Sequence, residues 1–233
     1  MSRAAAILIT GGGTGLGAAS ARILAAEGWR VGLLGRRLDR LEAVAADIRS
    51  AGGDVQIYPQ CVSQAAAVAS AIGDFKPSAV LNAAAVLGQG DIIDTLGPAE
   101  FAEVQAINVN GTFNTCCAAM RQWQAADHSG DIVNVSSLAG IRGMQAFPGF
   151  SAYAASKHAI VGLTEALAKD GKAHDIRVNA IAPGMMRTDM LAQMGIHPKT
   201  LPEDIVPTVR YLLDRSLSGP LSGTTIEIHS NDD

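Results

Sequence analysis

The sequence predicts a doubly wound α/β fold, a mostly parallel seven-stranded sheet with helices on both faces. Short apolar runs recur along the 233 residues, helical stretches separate them, and the first run leads straight into a glycine cluster. Several runs are apolar without alternation, as strands covered on both faces must be, whereas a half-solvated antiparallel strand alternates. Apolar residues make up 48% of the chain and charged residues 17%, a balance that suits a large core and argues against disorder.

Taken in order, the strand runs are residues 5–9, 31–34, 55–57, 79–81, 132–135, 176–181 and 225–228. Between the first two, Leu16, Ala19, Ile23 and Ala26 fall on one helical face, and Gly28 is a natural stop. Further helices are expected over 38–48, 65–72, 99–126, 152–169 and 203–213. This alternation builds βαβ units with right-handed crossovers. No repeat, low-complexity tract or linker divides the chain, so 1–233 reads as one domain.

Charge and composition narrow the function. The 18 basic and 22 acidic residues are scattered and leave a formal charge of −4, which gives no footprint for a phosphate backbone; nucleic acid is not expected as a partner. No window approaches the roughly 20 apolar residues of a membrane span, and no secretion signal follows Arg3, so a cytoplasmic location without membrane attachment is expected. Cys61, Cys116 and Cys117 have neither zinc nor CxxC spacing and read as small apolar residues in a reducing compartment. His128, His158, His174, His197 and His229 are isolated, and no metal site is expected.

Directly after the first strand run comes Thr10-Gly11-Gly12-Gly13-Thr14-Gly15-Leu16-Gly17, which opens the first helix. Glycine there lets a turn adopt positive φ and lets a ligand reach bare backbone, while the helix N-terminus offers free N–H groups. A dinucleotide pyrophosphate fits that description, in the Rossmann-type form of the fold, with Gly11, Gly13, Thr14, Gly15, Leu16 and Gly17 as its contacts. A mononucleotide phosphate loop is excluded because no Lys-Ser or Lys-Thr follows the last glycine. About twenty residues on, where a carboxylate ordinarily binds the ribose of NAD, the second run ends in Gly35-Arg36-Arg37. Arg36 and Arg37 offer positive charge and paired donors to a 2′-phosphate, which favours NADP(H) over NAD(H). The alternative is that one arginine only caps a solvated helix start.

Tyr153-Ala154-Ala155-Ser156-Lys157 opens a predicted helix and sets Tyr153 and Lys157 one turn apart on one face. An ammonium near a phenol favours the phenolate and brings a group with a pKa of about 10 closer to useful acid/base chemistry. Asn82-Ala83-Ala84, Asn108-Val109-Asn110-Gly111, Ser136-Ser137 and Pro183-Gly184 follow successive predicted strands or lie in the long helix. With these motifs in this order, the chain resembles the classical short-chain dehydrogenase/reductase family over essentially its whole length.

The resemblance implies hydride transfer between a nicotinamide cofactor and a carbonyl or secondary alcohol. It assigns Tyr153 as acid/base, Ser137 as hydrogen-bond donor to the carbonyl oxygen, Lys157 to the nicotinamide ribose, and Asn108 to a water that links Lys157 to solvent. Ser136 competes with Ser137 for its role, and Asn110 and Asn114 with Asn108. Further cofactor contacts are implied for Val62, Asn82, Ala83, Ala84, Pro183, Gly184 and Thr188; Asn82 also reads as a brace between strands. Ala85 and Cys61 depart from the family pattern, which has a glycine and an aspartate there. The stretch 141–150 is longer than typical and 190–201 shorter, so an unusual pocket rim is expected.

Substrate contacts are expected from Met144, Phe147, Phe150, Met185, Met186, Met190 and Met194, an apolar set suited to a small-molecule ketone or acyl group. Arg142 and Arg187 are candidates for a carboxylate or carrier phosphate. Family resemblance also implies a homodimer or homotetramer built on helices 99–126 and 152–169. The rival reading is a catalytically silent NADP(H)-binding sensor of the same fold.

Overall fold

The computed structural model describes residues 5–93, 95–143, 148–192 and 194–230. Its strands are β1 (Ala6–Thr10), β2 (Arg30–Leu34), β3 (Val55–Tyr58), β4 (Ala79–Asn82), β5 (Gly130–Val135), β6 (Ile176–Pro183) and β7 (Thr225–Ile228). They form one sheet in the order β3-β2-β1-β4-β5-β6-β7, and every pairing is parallel. The winding reverses between β1 and β4, so a crevice opens beyond their carboxyl ends.

Helices α1 (Gly15–Ala26), α2 (Leu38–Ser50), α3 (Ala65–Phe75), α4 (Pro98–Gln105), α5 (Gly111–Ala125), α6 (Ser151–Gly171), α7 (Asp189–Ala192), α8 (Pro202–Leu213) and α9 (Arg215–Ser218) surround it. The two-residue period of a strand divides the core. Ile7 and Ile9 of β1 pack with α1, α2 and α8, whereas Leu8 between them packs with α3, α5 and α6. A strand flanked this way has no polar face, which is why the runs did not alternate.

The helix expected over 99–126 is present but not uniform. Between α4 and α5 it widens into a π turn, Ala106–Asn110, that carries Asn108. Such turns insert an extra residue into the helical ladder and frequently mark functional positions. Helices α7 and α9, four residues each, were too short to leave a periodic signature.

Two buried polar devices fix the strands and helix that carry the site. Asn82 Nδ2 donates to Asn134 Oδ1 (2.9 Å), and Asn134 Nδ2 donates to Thr164 Oγ1 (3.0 Å), which pins α6 to β4 and β5. At the opposite end of the sheet, Arg177 of β6 pairs with Asp131 of β5 (2.6 Å) and donates to the Leu212 carbonyl and the Ser218 hydroxyl. Among the described residues, no helix is long and apolar enough to cross a membrane.

Candidate active site

The carboxyl ends of the central strands open into a cleft of about 880 Å³. At its β1 end the backbone is bare. Gly11 has φ +67°, and a Cβ there would lie 2.9 Å from both the Ala83 carbonyl oxygen and Ala84 Cα; on Gly17 it would collide with the Gly11 carbonyl oxygen. Glycine at these positions lets α1 sit close against the turn. The Thr10 hydroxyl accepts from the Ala84 N–H (3.1 Å) and ties the β1 and β4 ends together. Thr14 stands at the N-cap of α1 without capping it through its side chain, so the first-turn amides keep their donor capacity. Bare backbone and uncapped amides fit the pyrophosphate of a dinucleotide.

Gly11, Gly13, Thr14, Gly15, Leu16, Arg36, Arg37, Val62, Ala83, Ala84, Tyr153, Lys157, Pro183, Gly184 and Thr188 all line the cleft. Gly17 and Asn82 do not. Gly17 acts one layer behind by close packing, and the Asn82 side chain is engaged as the brace described above. Beyond β2, Arg36 and Arg37 are exposed, and Arg40 from the first turn of α2 joins them along the wall. Sequence reading missed Arg40; its place three residues after Arg37, one helical turn on, was the available signal. Its guanidinium lies 4.0 Å from the Asp189 carboxylate at the start of α7. Asp189 is the only acidic residue among the described residues that line the cleft.

Cys61 and Ala85, the two departures from the family pattern, also line the cleft. The Cys61 sulfur sits 3.1 Å from the Ser63 hydroxyl, and Asn114 Nδ2 donates to the Val62 carbonyl (3.0 Å). Asn114 therefore holds the β3-side loop, and Asn110 is exposed; neither competes for the place of Asn108.

At the centre of the cleft, β5 and α6 bring Ser137, Tyr153 and Lys157 together. Ser136 and Ser137 point apart. The buried Ser136 hydroxyl donates to the Lys157 carbonyl (2.8 Å) and packs β5 on α6. The Ser137 hydroxyl accepts from the Ala139 N–H (3.1 Å) and lines the same cleft as Tyr153. Lys157 is 3% exposed; its Nζ donates to the Val135 carbonyl (2.8 Å) and lies 5.4 Å from the Tyr153 ring centroid.

Asn108 is buried behind the cleft. Its Oδ1 accepts from the Val86 N–H (2.8 Å), while Nδ2 donates to the Val86 carbonyl (2.9 Å) and the Ser156 hydroxyl (3.0 Å). With both amide hydrogens engaged, the side chain ties the loop after β4 to α6. The π turn supplies the inward placement that these bonds need.

Burial sets the acid/base character of the pair. It pushes the Tyr153 phenol up, partly offset by the Ser137 hydroxyl, and pushes the Lys157 ammonium down to about 8. At neutral pH the free protein keeps the phenol protonated and most of the lysine charged. Between about 8 and 10.5 the unfolded chain holds the lysine proton and the folded chain does not. The burial penalty is thus fully present below pH 8 and fades as pH rises toward 10.5. Urea unfolding should show the wild type gaining stability relative to Lys157→Met from pH 8 to pH 10; a pH-independent difference would contradict this.

The apolar candidates Phe150, Met185, Met186, Met190 and Met194 line the other half of the cleft, together with Leu87 and Ile196. Met144 and Phe147 lie outside the described residues. Arg142 and Arg187 are exposed and do not line the cleft; Arg187 Nε donates to the Pro198 carbonyl (3.1 Å).

Fold and cleft together define a dinucleotide-binding α/β protein. Residues 5–198 match the profile described as short chain dehydrogenase, and the chain belongs to the short-chain dehydrogenase/reductase family of NAD(P)-dependent oxidoreductases. It is 34% identical to the short-chain reductase protein NovJ of Streptomyces niveus, with 98% of this chain and 94% of that protein covered. It is 33% identical to the 3beta-hydroxysteroid dehydrogenase of Mediterraneibacter gnavus, over 94% of this chain and 79% of that one. Among solved structures, levodione reductase superposes with a TM-score of 0.87 at 29% identity, covering 97% of both chains. An Agrobacterium tumefaciens structure with bound NADP superposes with a TM-score of 0.86 at 26% identity, covering 98% of this chain and 96% of that one.

Proposed function

We propose that this protein reduces a carbonyl to a secondary alcohol with NADPH, and catalyses the reverse with NADP⁺, using Tyr153 as the proton donor or acceptor. The observation that carries the reading is the meeting of Ser137, Tyr153 and Lys157 on the wall of a cleft whose other end is a bare glycine cradle. When bound, the nicotinamide cofactor supplies or accepts the hydride. The chain's own groups do the rest. Ser137 and Tyr153 donate hydrogen bonds to the carbonyl oxygen, and the phenol passes its proton as negative charge develops there. The Lys157 ammonium beside the ring lowers the cost of the phenolate left behind.

Because burial holds the phenol above its ordinary range, Tyr153 is protonated at neutral pH and ready to act as the donor in reduction. Alcohol oxidation needs the deprotonated phenol and speeds up as pH rises. Preference for NADPH rests on Arg36, Arg37 and Arg40 and on the lack of a carboxylate at the end of β2, where Gly35, Arg36 and Arg37 line the cleft. The chain acts as a homo-oligomer in the cytoplasm, a reading supported by the exposed Phe113 on α5 and by three free cysteines, with the Cys116 thiol pushed up to about 12 by burial. The test is NADPH consumption with a panel of neutral ketones. Turnover with at least one is expected; cofactor binding without turnover on any would favour the silent-sensor reading.

A further inference from the structure

We infer that the substrate is a neutral, bulky, apolar ketone or the matching secondary alcohol, selected against carboxylated and phosphorylated analogues because the described residues in its half of the cleft offer no pairing cation. This rests on the reading of Ser137 and Tyr153 as the carbonyl-binding pair. From that pair outward, the wall of the cleft comes from Leu87 after β4, Phe150 before α6, Met185 after β6, and Met190, Met194 and Ile196 in and after α7. These side chains are hydrocarbon and thioether, and the loop after β4 adds the uncharged amide of Gln89 to the lining.

The charged side chains of the cleft are all committed elsewhere. Among the described residues that line it they are Arg36, Arg37, Arg40, Lys157 and Asp189. The first three stand at the β2 end beside the glycine cradle. Lys157 donates to the Val135 carbonyl, and Asp189 faces Arg40. Arg187, the nearest cation in sequence to the methionines, gives its Nε to the Pro198 carbonyl and does not line the cleft. A carboxylate carried into this half would lose its water without gaining a partner, a heavy penalty, whereas a hydrocarbon body gains by burial. Selection of this kind works by leaving the wrong ligand unpaired. Thioether side chains adapt to irregular shapes, so ring and branched bodies of different outline are tolerated while charge is not.

The probes are camphor and ketopinate, one bicyclic ketone without and with a carboxylate, titrated calorimetrically into the wild-type protein saturated with NADP⁺. Hydride transfer to the ketone does not occur in that complex, so the result does not depend on the chemistry assigned to Tyr153. Camphor should bind at least about tenfold tighter than ketopinate at neutral pH. Met194→Lys should narrow or reverse that ratio by about tenfold while NADP⁺ affinity stays within about threefold. Ketopinate binding as tightly as camphor, binding of neither ketone, or an unchanged ratio in Met194→Lys would each overturn the inference. Failure to consume NADPH with any ketone counts instead against the oxidoreductase reading and leaves the binding ratio to be judged by itself.

Discussion

Tyr153→Phe should lower kcat for NADPH-dependent ketone reduction by about a thousandfold, the scale set by loss of a positioned general acid, with NADPH affinity within about threefold of wild type. The substitution removes one oxygen from a half-buried ring and leaves the packing of α6 in place, so the expected loss is chemical. Ser137 would keep its bond from the Ala139 N–H, which preserves the turn after β5. Because the phenol titrates above its ordinary value, the wild-type reduction rate should hold through neutral pH and fall only on the alkaline side, whereas alcohol oxidation should rise there. Steady-state rates across pH, with cofactor affinity measured separately, separate a catalytic loss from a binding loss.

Arg36→Asp combined with Arg37→Ala should weaken NADPH binding by about a hundredfold while NADH binding stays level or improves. A hydrogen bond to a charged partner contributes about 1.5–3 kcal/mol, so losing two amounts to at least that factor, and a carboxylate in their place repels a phosphate and accepts from a ribose hydroxyl. Arg40 is left in place by this pair of changes and keeps some residual preference. Both native arginines are exposed, so the NADPH advantage should also shrink with rising salt in the wild type. Fluorescence titration of both cofactors checks this; an unchanged NADPH affinity in the double variant would remove the basis for the cofactor preference.

Much of this architecture was legible because local chemistry and global fold demand the same residues. A strand buried on both faces must be apolar throughout, so the runs around Ile7 to Ile9 and Val133 could be read directly, and only the ends shifted by a residue or two. The glycine turn was legible for the same reason, since no side chain fits where Gly11 and Gly17 stand. What stayed hidden depends on contacts between distant segments. Asn134 is a polar residue in an apolar strand, and only the structure shows it joining Asn82 to Thr164. The choice between Ser136 and Ser137 could be posed but not settled from a two-residue period, because which face meets α6 is a tertiary fact.

The resemblance singled out Asn108 to hold a water; what the structure adds is a set of side-chain bonds that ties the loop after β4 to α6. Its side chain is fully engaged with Val86 and Ser156, a partnership that the π turn creates and that helical periodicity cannot foretell. Arg142 and Arg187 illustrate the opposite limit: a charge near a pocket in sequence says nothing of where its side chain goes.

The most direct test of the proposed chemistry follows a label rather than a rate. NADPH deuterated on the nicotinamide carbon that carries the transferable hydride is mixed with a neutral ketone and wild-type protein, and the alcohol is analysed by mass spectrometry. The expected product carries the deuterium on its carbinol carbon and forms far more slowly with Tyr153→Phe. An alcohol without label, or labelled alcohol formed at an undiminished rate by Tyr153→Phe, would contradict hydride transfer assisted by that tyrosine.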